Sequence, residues 1–336
     1  MTNHLKEQWN KLYCFTRQCS EMEPWDRFSE AFPFVYIQKG TGKEIVFSIL
    51  GSEYPFCGYA VYDSWYEFSM AQHRMRGANK KHEPLFMLQN AMIGIFGARA
   101  DVSKENYAVM KELDQRGHGG GSWLHFEKYR VGYMPSALSE SEVAELADSM
   151  GNLYMMLRAV YEHASDDIKP GTAVLRTYNT KKKLFDTSVI PLVPLAKPNH
   201  LVITVEENEN LLALAAAPAA QYTLELDWSY APIPIDEGGV RCFPRLLIGT
   251  DSNGYVLISH LLPAGKTLYS MVFNTLAKAI EEHGRPKEIK LSDPELEGIL
   301  ADFCRRIGVP LHMVKNLPQV NRFRNGFLKS IQKTES

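Results

Sequence analysis

Apolar residues fall near helical spacing from residue 3 to residue 20, with Leu5, Trp9, Leu12, Tyr13 and Phe15 or Thr16 in phase, and predict a first helix. The Pro24-Trp25 pair ends it. FPFVYIQ, EIVFSIL and GYAVYD then read as strands, rich in β-branched and aromatic residues and parted by GTGK and GSEYP turns. SWYEFSMAQHRMR reads as a helix, FMLQNAMIGIFGAR as a strand, and residues 101–116 as a helix stopped at Gly117. The HGGGSW turn precedes a strand in WLHFEKYRVGY. Ser139 and Glu142 have capping-box spacing ahead of a helix running to about His163. The GTGK and GSEYPFC links are too short for a parallel crossover, so the early strands are expected to form an antiparallel meander. Helices 102–116 and 140–163 are expected to cover one of its faces.

Periodicity divides the chain into an α+β domain at residues 1–165, a β-rich connecting segment at 166–220, and an α/β domain at 221–336. The connecting segment holds strand candidates TAVLRTY, SVIPLVPL and HLVITV and a short Leu/Ala helix in NENLLALAAA. In the last domain three strands (QYTLELDWS, RCFPRLLIGTD, GYVLISHLLP) lead to a long helix ended by Gly284. A fourth strand (EIKLS), a helix ended by Gly308, a fifth strand (PLHMV) and a last helix follow. The expected product is one mixed sheet of five strands, its second strand antiparallel to its neighbours.

Composition narrows the functional classes. The chain has 336 residues, 45% hydrophobic and 23% charged, as in ordinary globular proteins. No apolar run is long enough to span a membrane, and the polar N-terminus lacks the apolar core of an export signal. Five scattered cysteines without a CxxC pair suggest reduced thiols and a cytoplasmic location. Net charge is −2, without the basic excess usual in proteins that live on phosphate backbones. From Cys304 to Thr334, however, there are four arginines and three lysines and no acid. Arg322, Arg324 and Lys329 on the last helix are either a solvated basic face or a surface for an anionic partner.

Motifs are sparse. HGGGSW follows a helix and lacks the GxxxxGK[ST] pattern of a phosphate loop, and no G-x-S-x-G elbow occurs. His73, His118 and His125 lack metal-ligand spacing, and Cys14 and Cys19 fall on different faces of the first helix. Three aspartates stand out. Asp293 follows the EIKLS strand, and S-D-P-E-L is also a complete helix start, with Asp293 at the N-cap and Pro294 at the first helical position. Asp251 begins a D-x-N-G hairpin turn. Asp227, inside LELDW, has no local role.

The element order of residues 221–336 resembles the ribonuclease H-like fold. LDWS, LLIGTDSNGYVLIS and GRPKEIKLSD are similar to the integrase and transposase core within it. That resemblance implies carboxylates from the first strand, the end of the fourth strand and the last helix gathered around two metal ions that clamp an in-line displacement. Asp227 matches the first position and Asp293 the second. The last helix, VNRFRNGFLKSIQK, has no acid, with Asn321 where the glutamate of the integrase pattern would stand. The sequence therefore reads as a domain that has lost its metal site and binds or scaffolds. The alternative is a divalent-metal-dependent nuclease or strand-transfer relative using Asp227, Asp293 and Asp251.

Over most of its length the chain resembles an uncharacterised bacterial family that pairs two domains of unknown function. The matching words include LYCFTRQCSEMEPW, YIQKGTGKEIVFSILGS, WLHFEKYRVGYMPSALSESEVAEL and FPRLLIGTDSNGYVLIS. Some relatives of that kind carry a cysteine-rich SEC-C segment. This sequence has no such cluster, so the resemblance implies neither metal nor cofactor.

Overall fold

Successive apolar positions, as in EIVFSIL, form a strand that is buried on both faces when layers pack above and below the sheet. That is the arrangement in the first of two units, Met1–Pro198 and Asn199–Ser336. The computed structural model describes residues 1–52, 56–77, 85–117, 122–163, 167–199, 201–231, 233–263, 265 and 267–334, with Leu85 and residues 328–334 by backbone alone.

In the first unit, helix α1 (Asn3–Ser20) leads to strands β1 (Pro33–Ile37), β2 (Glu44–Leu50) and β3 (Cys57–Tyr62). Helix α2 (Trp65–Gly77), strand β4 (Ala91–Gly97), helix α3 (Lys104–Glu112), strand β5 (Trp123–Tyr129) and helix α4 (Glu140–His163) follow. Strands β1 to β3 form the expected antiparallel meander, and β4 and β5 continue it. Helices α1, α3 and α4 cover one face through Trp9, Tyr13, Met110, Leu146, Met150 and Leu153. Helix α2 places Phe68 and Ala71 on the other face, against Val46, Tyr62 and Ile93.

The sheet is larger than the meander, and it is mixed rather than antiparallel. Strands β6 (Thr172–Asn179) and β7 (Leu184–Pro191) extend it in the order β5-β4-β3-β2-β1-β6-β7, and β6 runs parallel to β1. Helix α4 accounts for the change. At 24 residues it is about 36 Å long, against roughly 24 Å for five strand spacings. It carries the chain from the β5 edge to the far side of β1, where the next strand enters in the direction of β1. Its start is the capping box read from the sequence: Ser139 N–H donates to Glu142 at 2.8 Å, and Glu142 N–H donates to Ser139 Oγ at 3.4 Å.

Helix α3 stops at Glu112, before Gly117. Asp114 adopts the left-handed conformation (φ 53°), and Gln115 N–H closes the end onto Met110 O at 2.8 Å. An aspartate thus fills the position usually held by glycine. The HGGG part of the following turn lies outside the described residues.

Residues 166–220 do not stand apart. Strands β6 and β7 belong to the first sheet, and residues from Asn199 onward fold with the second unit. Residues 201–205 of HLVITV do not form a strand, and His200 lies outside the described residues: Ile203 N–H donates to Gly298 O at 3.1 Å and Val205 N–H to the Asp302 carboxylate at 2.9 Å. Helix α5 (Glu209–Ala216) follows and buries Leu211 and Leu214 in the second core.

The second unit continues with β8 (Thr223–Tyr230), a small hairpin of β9 (Ile235–Glu237) and β10 (Val240–Cys242), then β11 (Arg245–Thr250) and β12 (Val256–Leu262). Helix α6 (Leu268–His283), β13 (Glu288–Leu291), α7 (Pro294–Arg306), β14 (Leu311–Met313) and α8 (Pro318–Thr334) complete it. The β9–β10 hairpin is an addition to the expected elements, and Pro244 separates β10 from β11 because proline cannot donate to a ladder. The five-stranded sheet has the order β12-β11-β8-β13-β14. Strand β11 is antiparallel to β8 and β12, whereas β13 is parallel to β8 and β14. One face carries α5, α6 and α7 over Leu224, Leu226, Leu247 and Ile289. On the other face α8 rests Val320 and Phe323 against Leu246 and Ile248.

Candidate functional site

Alternation along β8 creates the site. Leu224, Leu226 and Trp228 point into the core beneath α6 and α7, so Glu225 and Asp227 point to the α8 side. Both are carboxylates on the central strand, and both meet α8. Glu225 accepts the N–H groups of Gln319 at 2.9 Å and Val320 at 3.3 Å, which caps the first turn of α8 from the sheet. Asp227 lies opposite Ile248 of β11 and is 6% exposed. Its Oδ2 accepts Arg324 Nη2 at 2.8 Å and Ser292 Oγ at 3.0 Å. Its Oδ1 is buried without a hydrogen-bond partner among the described residues.

The other two aspartates are engaged elsewhere. Asp293 follows Ser292 at the end of β13, and its Oδ1 accepts the N–H groups of Glu295 at 2.8 Å and Leu296 at 3.0 Å. It is the N-cap of α7. Asp251 closes the β11–β12 turn, its Oδ1 accepting from Asn253 N–H at 2.9 Å and Tyr255 N–H at 2.8 Å. Among the described residues no group of three or more His, Cys, Asp and Glu side chains gathers as a metal site.

On α8, Arg324 turns inward to Asp227 and Arg322 is exposed. The Lys329 side chain lies outside the described residues. Asn321 accepts from Arg324 Nη1 at 3.5 Å and donates to Asn316 at 2.8 Å. Sequence reasoning missed the roles of Glu225, Ser292 and Arg324. The alternation of LELDW placed Glu225 and Asp227 on one face, but nothing local names the helix that meets them.

The remaining singled-out residues are structural. His125 is buried, with Nδ1 3.1 Å from Trp123 O, and His73 Nε2 lies 3.0 Å from Ala196 O. Cys14 is exposed and Cys19 buried, so they do not share a face. His118 lies outside the described residues. No helix of the described residues is long and apolar enough to cross a membrane.

A family model described as a domain of unknown function, DUF7309, matches residues 9–176, half of the chain. The chain belongs to the DUF7309 family. A second model, also described as a domain of unknown function, DUF6930, matches residues 211–328. The paired organisation read from the sequence is therefore that of a DUF7309 domain followed by a DUF6930 domain. The DUF7309 match ends within β6, and the DUF6930 match covers α5 to α8 and so holds Asp227 and its partners. No curated protein matches the chain.

Proposed function

We propose that the DUF6930 domain is a non-catalytic relative of the ribonuclease H-like fold, and that this cytoplasmic protein acts by binding or scaffolding. Several features support the fold reading. Strand β8 is central, β11 is antiparallel to both neighbours, and α6-β13-α7-β14-α8 follow in order. The scattered cysteines support a reducing compartment.

The observation that carries the non-catalytic reading is the Arg324 guanidinium on Asp227. A two-metal site needs clustered carboxylate oxygens around two dications. Here the one buried aspartate of the central strand already holds a cation belonging to the chain. A dication about 4 Å from that guanidinium would be repelled by roughly 8 kcal/mol at an effective dielectric near 20. Asp293 would have to give up its helix cap, worth about 1 kcal/mol, to turn toward a metal.

The test is hydrolysis of single- and double-stranded DNA, RNA and hybrid duplexes by the full chain in magnesium or manganese. The expected result is no turnover above an Asp227→Ala/Asp293→Ala control. Turnover that disappears in the Asp227→Ala variant overturns the proposal in favour of a metal-dependent nuclease.

A further inference from the structure

The first unit holds a cavity of about 510 Å³ at one end of its sheet, within the range of small-molecule sites. It lies where β3 ends, β4 begins and β5 ends, flanked by the first turns of α2 and α4. Val61, Met92 and Tyr129 give it an apolar wall. Most of the remaining lining is charged, and most of those charges are already matched. Lys128 pairs with Glu142, which also accepts from Ser139 N–H at 2.8 Å. Lys43 joins Glu145 to Asp63, the latter at 3.3 Å.

Two opposite charges are left over. Among the described residues the Glu67 carboxylate on α2 meets only a neutral group, Asn90 Nδ2 at 2.9 Å from its Oε2. The amide is fixed in that orientation because Asn90 Oδ1 accepts Val131 N–H at 2.9 Å, so the NH₂ end must face Glu67. The carboxylate is thus positioned but not neutralised. Arg130, just past β5, makes no ion pair among the described residues. Its guanidinium lies 4.5 Å from the centroid of the Tyr133 ring, and its Nε is buried without an acceptor among the described residues. A buried donor left unpaired costs free energy that a ligand acceptor would recover.

We propose that this cavity binds a small zwitterion, with an ammonium on Glu67 and a carboxylate on Arg130. Free α-amino acids and short peptides share that chemistry. A simple cation would leave Arg130 unmatched, and a simple anion would leave Glu67 unmatched. The flat guanidinium favours a carboxylate because it can donate two parallel hydrogen bonds to it. The ligand's side chain would lie against Met92 and Tyr129. This site is in the DUF7309 domain and is independent of the Asp227–Arg324 reading.

The experiment is calorimetric titration and thermal shift of the full chain with each standard L-amino acid and with L-alanyl-L-alanine. Methylamine, acetate, and the N-acetyl and amide derivatives of each binder serve as half-ligands. The expected result is that at least one zwitterion binds, and that blocking either terminus weakens it about tenfold or more. A free amino acid that binds better than the dipeptide assigns the first source, and the reverse order assigns the second. Glu67→Gln and Arg130→Gln should each weaken binding by a similar factor, while Glu162→Gln, at the far end of α4, should not. If either cavity variant fails to fold, the blocked derivatives test the same two contacts on the unaltered protein. No zwitterion binding up to about 10 mM, or half-ligands that bind as well as the whole, overturns the proposal.

Discussion

Glu225 and Asp227 stand two residues apart on one face of β8, and each fastens a different turn of α8. Glu225 caps the helix at Gln319 and Val320, and Asp227 holds Arg324. Two residues of strand advance about 6.6 Å, and the four or five residues from Gln319 or Val320 to Arg324 rise about 6–7.5 Å. The spacings agree, so α8 can run along β8 and satisfy both acids without distortion. The two acids of the central strand thus tether the helix that crosses them.

Removing Arg324 should therefore destabilise the second unit. Arg324→Leu leaves the Asp227 carboxylate buried with only the Ser292 hydroxyl, a loss of about 3 kcal/mol. The Asp227→Leu/Arg324→Leu double variant removes both charges and should recover most of that loss, because an apolar pair of similar volume is often as stable as a buried ion pair. Urea unfolding of the wild type, both single variants and the double variant closes the cycle. Purely additive effects would show that the two side chains are not coupled.

Asp293 should behave as a cap and nothing more. Asp293→Ala is expected to cost about 1 kcal/mol, and Asp293→Ser much less, because serine also accepts from the first helical turn. A metal ligand would give a different pattern. Serine would not substitute for aspartate, and magnesium would raise the unfolding midpoint of the wild type in proportion to its binding. Unfolding midpoints of the two variants and of the wild type, with and without magnesium, separate the two roles.

Apart from the β9–β10 hairpin, the order of elements from β8 to α8 was legible because most are bounded by a strong local signal. Gly308 at φ 69° ends α7, with Val309 N–H returning to Cys304 O at 2.9 Å, and Asp293-Pro294 begins it. The meander of the first unit was legible for the same reason, through its short links. What the sequence did not carry was pairing between distant segments. Nothing near Phe34 announces Val174 as its parallel neighbour, and Asp227 and Arg324 are 97 residues apart. HLVITV has the composition of a strand, yet the N–H groups of Ile203 and Val205 are taken by Gly298 and Asp302 of α7, so tertiary contact overrode propensity. The leftover charges of Glu67 and Arg130 were hidden likewise, since a charge is unmatched only relative to its neighbours in space.

The contact between residues 201–205 and α7 should be sensitive to acid. Arg306, bonded through Nε at 2.8 Å, holds the Asp302 carboxyl well below the usual carboxylate range, with Val205 N–H and Arg305 acting in the same direction. A depressed folded-state value means that the stabilisation is fully present above the unfolded value of about 3.9 and is lost as pH falls through the folded value. Asp302→Asn should therefore lower the urea midpoint at pH 7, and the gap to wild type should narrow as pH falls below about 4. Hydrogen exchange at Val205 should accelerate in the variant. A gap that stays constant down to pH 2 would show that the ionised carboxyl is not what holds the segment.

Glu127 should give the opposite pH dependence. It lies on β5 opposite Ile93, on the apolar α2 face of the first sheet, and burial pushes its carboxyl up to about 7. The folded protein then binds a proton that the unfolded chain has already lost, so stability falls as pH rises from about 4.3 through about 7 and levels off above. At about 1.4 kcal/mol per pH unit the full effect is about 4 kcal/mol. Glu127→Gln keeps the shape and removes the ionisation. It should leave stability unchanged near pH 4.5 and raise it above wild type at pH 8, with a flatter profile between. Urea midpoints of the first unit's transition at half-unit pH steps make the comparison. Parallel profiles for the two proteins would place the origin of any slope in other groups and show that Glu127 is ionised in the folded state.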